Sequence, residues 1–437
     1  MRLIARLLLP LVPFMMLAMA LWRWILGHEP RSALGARLGF VPRPASGETL
    51  WLHAASNGEL ASARWVVEDL LAARRGLQVL VTTNTQTAFV MAGAWGLKGV
   101  TVAFAPLDLG PAIRRLVQRW KPQALITVEA EIYPRRFAMC ASAQIPIILI
   151  GARMLERSFQ GWQRLQPVMA RALGRVHMAS VQDEASGNRL LALGLRKAAM
   201  SVPCDLKAVA IARRPAPHLP PRETRARWLL AASTHAGEEA IILDAFAQLR
   251  QHFDHLILSP RHPRRGDEVA TLIAARGFTL ARRSGGAMPG AETVFLADTM
   301  GEMDLWYLRC GACIVGGSFV PKGGHTPWEP ARMGCAIVHG PWVDNFAAPY
   351  TQLAKHGGAL QVHGGQDLAT ALADLGAESQ ERLTGAAAQI LSGIGSGAQL
   401  CHDILTHFPS RPEKPLALRG RYDKVSEAGS QASGNKP

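Results

Sequence analysis

The sequence predicts an α/β protein of two domains, each a parallel sheet covered by helices on both faces, and three observations carry that prediction. Uninterrupted apolar runs of four to six residues recur along the chain, as strands buried on both faces require. Stretches with apolar residues at helical spacing separate them, and this alternation is the mark of parallel strands joined by helical crossovers. The pattern stops once, over 208–222 (AVAIARRPAPHLPPR), and then restarts. Composition agrees: 437 residues with 49% apolar and 19% charged, and with 41 Gly and 28 Pro scattered rather than repeated, exclude a disordered, collagen-like or coiled-coil chain.

In chain order, the first domain's strands are predicted at 50–54, 79–82, 100–104, 124–128, 145–150 and 177–181, with helices between them such as 62–74 and 112–120. The Pro-rich, basic and aperiodic stretch that follows reads as a linker. Beyond it, strands are predicted at 228–231, 255–258, 293–296, 312–315 and 336–339. From about residue 409 Ser, Gly, Lys and Pro dominate, as in a flexible tail. The expected organisation is a membrane anchor over 1–28, a first Rossmann-like domain over 29–207, a linker over 208–225, a second Rossmann-like domain over 226–408 and a tail over 409–437. Two such domains set the C-terminal ends of their strands around a cleft, where open α/β sheets bind ligands.

The anchor rests on residues 7–22, an uncharged stretch of 16 preceded by Arg2 and Arg6 and followed by Arg23. A helix of that length covers about 24 Å against about 30 Å of hydrocarbon, so spanning requires continuation to Leu26 with Arg23 reaching the interface. Pro10 and Pro13 argue against an ordinary buried helix. Ala18, Met19 and Ala20 resemble a signal-peptidase site, but Arg23, Arg31 and Arg37 follow closely, and basic flanks stay in the cytoplasm. An uncleaved anchor with a cytoplasmic body is expected.

Net charge is +15; residues 1–40 contribute +4 and residues 411–437 contribute +3. Such a field suits an anionic membrane surface, a phosphorylated substrate or nucleic acid. The chain has no helix-turn-helix, zinc-finger or RNA-binding aromatic pattern, so no nucleic acid partner is expected. Of six cysteines, Cys310 and Cys313 form a lone C-x-x-C before an apolar Ile-Val run, which reads as core rather than as a zinc site.

Four regions can carry chemistry. Glu59, in HAASNGEL, follows the first strand and a small-residue turn, at the mouth of the sheet. A partly desolvated carboxylate there can take a proton from an alcohol, although a helix-start Glu answering the macrodipole fits equally well. Glu129 and Glu131, in ITVEAEIYP, end another strand, and extended alternation predicts both carboxylates on one face; Arg135 and Arg136 stand ready to neutralise them. Lys207, in VPCDLK, sits at the domain junction, within reach of an anion. In the second domain, SPRHPRR places Arg261 and His262 between prolines, and the Arg261 fork suits a phosphate. ADTMGEMDLWY puts Gly301 and Glu302 at a strand-to-helix turn. GGSFVPKGGHTPWEP sets glycine amides before a helix start, with Glu329 beyond, a pattern suited to a phosphate and a ribose diol. His325 reads equally well as a cap of that helix. Neither a P-loop nor a G-x-G-x-x-G after the first strand occurs.

HAASNGE, APLDLGP, EAEIYP, ARMLERS, ASTHAGEE, SPRHP, DTMGEM and GGSFVPKGGHTPWEP, in this order across about 37–346, together resemble the 3-deoxy-D-manno-octulosonic acid (Kdo) transferases of lipopolysaccharide assembly. The resemblance implies a GT-B glycosyltransferase fold and inverting transfer of Kdo from CMP-Kdo to a lipid A precursor, at the cytoplasmic side of the cell inner membrane. It implies no metal and no cofactor. Residue by residue, it implies Glu59 as general base and Glu129 and Lys207 as transition-state stabilisers. CMP contacts are implied at Pro260 and Arg261, at Met300, Gly301 and Glu302, and at Thr326, Pro327, Trp328 and Glu329. The expected partners are therefore CMP-Kdo, the lipid A precursor and an anionic membrane surface. This chain departs from the family pattern at Thr326, where Asn is usual, at Tyr133, Pro134 and Arg135 in place of Trp-Pro-Asn, and at Gly151 in place of Asn. A divergent enzyme with another acceptor or sugar nucleotide, a UDP-sugar epimerase of similar architecture, and a non-catalytic sugar-nucleotide binder are the competing readings.

Overall fold

The computed structural model describes residues 30–129 and 131–408; the expected anchor (1–28) and tail (409–437) lie outside the described residues. Six parallel strands form the first sheet: β1 (Thr49–His53), β2 (Gln78–Thr83), β3 (Val100–Phe104), β4 (Leu125–Val128), β5 (Ile147–Ala152) and β6 (Met178–Val181), in the order β3-β2-β1-β4-β5-β6. Seven form the second: β7 (Trp228–Thr234), β8 (His255–Pro260), β9 (Leu280–Arg282), β10 (Val294–Leu296), β11 (Ala312–Val315), β12 (Ala336–His339) and β13 (Ala359–Gln361), in the order β13-β12-β11-β7-β8-β10-β9. The second sheet is also parallel throughout.

The apolar runs become strands because both of their faces are covered. One face of the first sheet packs around Trp51, Trp120 and Phe137, the other around Leu52, Val66 and Ile126. Phe246 and Phe253 cover one face of the second sheet, Trp306 and Tyr350 the other. Strands β9 and β13 escaped the sequence reading. Each is a three-residue edge strand paired on one side and partly exposed, so neither needs a continuous apolar run.

Strand order reverses beside β1 in the first sheet and beside β7 in the second. The loops after β1 and β4, and those after β7 and β11, therefore diverge and leave a crevice at the C-terminal ends of the strands. Every candidate site segment that follows β1, β4, β7 or β11 opens into one of these crevices.

Of the stretch expected as linker, the start is helical: Leu206–Ala212 buries Leu206 and Val209 in the first domain's core, and Ala208 and Ile211 in the second's. A helix buried on opposite faces has no polar stripe to reveal its period, hence the aperiodic reading. The helix Ala398–His407 lies within the span expected as second domain, yet it returns to the first, where Leu400, Cys401 and Ile404 join the core. At the cleft, Arg153 Nη2 donates to the Asn345 carbonyl at 2.7 Å, linking the two domains.

Candidate active site

The helix after β1 starts five residues earlier than predicted, spanning Asn57–Ala73, because SNGE is a capping box. The Glu59 N–H donates to Ser56 Oγ at 3.4 Å, and the Glu59 carboxyl reaches back, Oε2 accepting from the Ala55 N–H at 2.8 Å and Oε1 from the Ser56 hydroxyl at 2.9 Å. Burial pushes this carboxyl up to about 7; Glu131 and Glu129 add to the rise, while the bonds from Ala55 and Ser56 oppose it.

Glu129 ends β4 at φ +55°, in the left-handed region, so the extended alternation expected for 129–131 breaks there. The two acids consequently take different partners. Glu129 Oε1 pairs with Lys207 Nζ at 2.7 Å, with side chains 17% and 28% exposed. Glu131 accepts a short hydrogen bond from the Tyr133 hydroxyl and lies 3.6 Å from His53 Nε2. Burial alone would raise Glu131, but its bonds with His53 and Tyr133 outweigh that and hold it below the usual carboxylate range. Arg135 and Arg136 neutralise neither acid directly: both turn their backbone N–H groups to Asp108, and the buried Arg136 guanidinium lies over the rings of Tyr133 and Trp51. Tyr133, which stands where Trp is usual, thus supplies a hydroxyl to this network, with Asn84 donating to it at 3.1 Å.

Between the domains lies a cavity of about 370 Å³. Gly58, Ala61 and Ser62 from the Glu59 helix line one wall, Lys207, Ile211 and Arg214 the junction, and Ser233, Arg261, Tyr307, His325, Thr326, Glu329 and Phe346 the second domain's side. Of the residues selected from sequence, Lys207, Arg261, Thr326 and Glu329 line it directly. Glu59 and Glu129 are not among its lining residues; Glu129 is joined to it through Lys207. Pro260 ends β8 buried, and Pro327 and Trp328 back the Thr326 turn. Met300, 67% exposed, and Gly301, at φ +86°, lie on the turn after β10, outside the lining. Glu302 on that turn is bound to Arg283 at 2.6 Å and to the Thr299 hydroxyl, which together draw it down to about 2.

The second-domain wall carries charge that its own structure leaves uncommitted. Arg261 is fixed by its backbone N–H to the Thr234 carbonyl at 2.9 Å, while among the described residues its guanidinium has no hydrogen-bond or ion-pair partner. Glu329 likewise has no hydrogen-bond partner for its carboxyl among the described residues, and burial raises it. By contrast, the acids of ASTHAGEE build the scaffold. Buried Glu238 accepts from the N–H groups of Gly317 at 2.7 Å, Phe319 at 2.9 Å and His235 at 2.8 Å, pinning the glycine loop to β7's end. Glu239 pairs with Arg265 at 2.6 Å. His325 does not cap the following helix; its ring meets that of His235 edge to edge, the two planes 7° apart and the Nε2 atoms 3.1 Å apart. Arg214, hidden in the presumed linker, was missed because nothing in a Pro-rich basic run distinguishes one Arg from another. Among the described residues no three His, Cys, Asp or Glu side chains are placed to hold a metal ion.

Two Rossmann-like domains with a phosphate-suited wall across an interdomain cavity define a GT-B protein. A solved putative UDP-N-acetylglucosamine 2-epimerase from Listeria monocytogenes shares this fold, at TM-score 0.58 and 12% identity over 83% of this chain and 97% of that one. Sequence comparison is sharper. The family model described as 3-Deoxy-D-manno-octulosonic-acid transferase (kdotransferase) matches residues 32–210. The 3-deoxy-D-manno-octulosonic acid transferase of Haemophilus influenzae is 30% identical over 87% of this chain and 92% of its own length; that of Bordetella pertussis is 32% identical over 79% and 85%. The chain belongs to the 3-deoxy-D-manno-octulosonic acid transferase family.

Proposed function

We propose that this enzyme moves Kdo from CMP-Kdo to a hydroxyl of a lipid A precursor, with inversion, in lipopolysaccharide assembly. One observation carries the reading: a single interdomain cavity brings Lys207, tied to Glu129 of the first domain, opposite the uncommitted Arg261 and Glu329 of the second. Arg261 and Lys207 suit the nucleotide phosphate, and Glu329 with Thr326 suits the ribose diol or the sugar. Glu59, lifted toward neutrality, is the base that takes the acceptor proton as the sugar–phosphate bond breaks and CMP departs. For that it must release its bonds to Ala55 and Ser56.

Heat protection by nucleotides tests the donor: CMP should raise the melting temperature and UDP should not. Protection by UDP alone would return the epimerase-like reading that the fold by itself permits. Glu59→Gln should retain CMP protection and lose transfer of Kdo to a tetraacylated lipid A precursor, read by product mass.

Localisation on the cytoplasmic side of the inner membrane is part of the proposal. Supporting it are the uncharged 7–22 stretch with its basic flanks and a hollow of about 1150 Å³ on the first domain lined by Arg43, Arg75, Arg115, Arg119 and Lys121, beside Phe40, which is 58% exposed. Among the described residues no helix is long and apolar enough to cross a membrane. Binding to vesicles containing anionic lipid should fall as salt is raised; equal binding to neutral vesicles would remove the electrostatic part.

A further inference from the structure

Three imidazoles gather where the loops leaving β7 and β11 meet. The pairing of β7 with β8 shifts register between Ala232 and Thr234, and Ser233 takes φ +58°. His235 follows this kink and lies against His325, ring planes 7° apart and Nε2 to Nε2 3.1 Å. His262 stands edge-on to His235 with ring centroids 5.9 Å apart. Gly317, at φ +68°, is the floor of the pair: a Cβ there would lie 3.3 Å from the His325 ring and 3.4 Å from His235. Two ring nitrogens this close require one proton between them, because two lone pairs repel and two N–H groups clash. One neutral ring therefore donates to the other, and the donor's remaining nitrogen keeps an open lone pair.

The groups facing the pair are mostly cationic. Arg261 and His262 act on both rings and Lys322 on His235. Glu239 favours a charged His235 but is engaged by Arg265, Glu238 is occupied by three backbone donors, and the Ser233 backbone favours a charged His325. Burial is the largest influence on each ring, and with these cations it pushes His325 down to about 4 and holds His235 below the ordinary histidine value. Both rings are thus neutral at pH 7, beside Arg261, His262 and Lys322. An anion placed beside Arg261 and His325 reverses that balance, since it offsets the cations that keep the rings neutral.

We propose that the His235–His325 pair takes up one proton from solvent when the phosphate of a cytidine nucleotide enters the cavity, and that the shared imidazolium then belongs to the phosphate site. No covalent bond changes in this step. The inference rests on the nucleotide reading above and adds a positioning pair to it: the charge that steadies the phosphate is partly recruited on binding rather than fixed beforehand.

Calorimetric titration of the full chain with the methyl ester of CMP tests this. Its phosphodiester does not titrate near neutral pH, so running the titration in two buffers of different protonation enthalpy counts protons taken up by the protein. About one proton per nucleotide is expected, with affinity falling about tenfold per unit rise in pH. Cytidine, which lacks the phosphate, should take up none. His235→Gln and His325→Gln should each abolish the uptake while Arg261 still supports weaker binding. Binding without proton uptake by the unsubstituted chain, or uptake that persists in both variants, overturns the inference and leaves the nucleotide reading standing. Failure of any cytidine nucleotide to bind overturns that reading and the inference together.

Discussion

Glu59 puts two demands on one carboxyl. It closes the start of its helix through Ala55 and Ser56, and it sits where burial and the charges of Glu131 and Glu129 lift it from 4.5 to about 7. A carboxyl raised in this way binds a proton more tightly folded than unfolded. Its stabilising contribution is complete below about 4.5 and is lost as pH rises through about 7. Gln preserves the capping geometry and removes the charge. Glu59→Gln should therefore raise the melting temperature above pH 7 while lowering kcat by roughly 10²- to 10⁴-fold, the usual worth of a positioned base. A melting temperature that falls instead would mean that the cap matters more than the buried charge. For the unsubstituted enzyme, kcat/KM should decline as pH drops through about 7, since the base must be ionised. The position of Glu59 was legible in the sequence, from a strand end followed by small residues. Its partners were not: Ser56, Asn57 and Gly58 were read as a turn, and the charge that tunes Glu59 comes from the β4 loop, distant in sequence and adjacent only because β1 and β4 pair.

Central strands were legible because double-sided burial forces an unbroken apolar run, and β11 and β12 fall at the residues predicted. Elements buried or paired in other ways were not, and Leu206–Ala212 shows why. Its length is two turns, its residues are apolar apart from Lys207, and Pro215, Pro217, Pro220 and Pro221 follow it, so sequence offers the proline signal and no period. The structure gives this helix the task of joining two cores: Trp65 Nε1 of the Glu59 helix donates to the Leu206 carbonyl at 3.3 Å, while Ile211 packs among second-domain residues. It also carries Lys207 into the cavity. Ile211→Ala, at a site 6% exposed, should cost about 2–5 kcal/mol by removing buried methyl groups and leaving a void. Denaturant unfolding followed by tryptophan fluorescence measures this; a loss under about 0.5 kcal/mol, the range of surface substitutions, would mean the helix is a tether and not a shared core element.

At the scale of the whole molecule the two domains are held in unequal ways across the cleft. Leu206–Ala212 and Ala398–His407 connect them through packed apolar surface, whereas Arg153 connects them through Nη2, which donates to the Asn345 carbonyl at 2.7 Å and to its Oδ1 at 3.3 Å. Interfaces of the first kind resist sliding; a hydrogen bond from a charged donor is worth only about 1.5–3 kcal/mol and opens readily. That asymmetry is the arrangement of a hinge with a clasp, and interdomain motion is the default unless the joining surface is large and hydrophobic. The clasp bears directly on the site, because Phe346 next to Asn345 lines the cavity and the Arg153 guanidinium stands 5.8 Å from its ring. Arg153→Ala should therefore loosen the cavity wall without touching the groups assigned to proton transfer or phosphate binding. The expected signature is a KM for donor raised about tenfold with a smaller change in kcat, the equivalent of losing about 1.4 kcal/mol of closure. In small-angle scattering the radius of gyration without nucleotide should increase, and saturating CMP should restore the compact value. An unchanged radius together with an unchanged KM would show that the packed helices alone set the interdomain geometry and that the Arg153 bond follows closure without contributing to it.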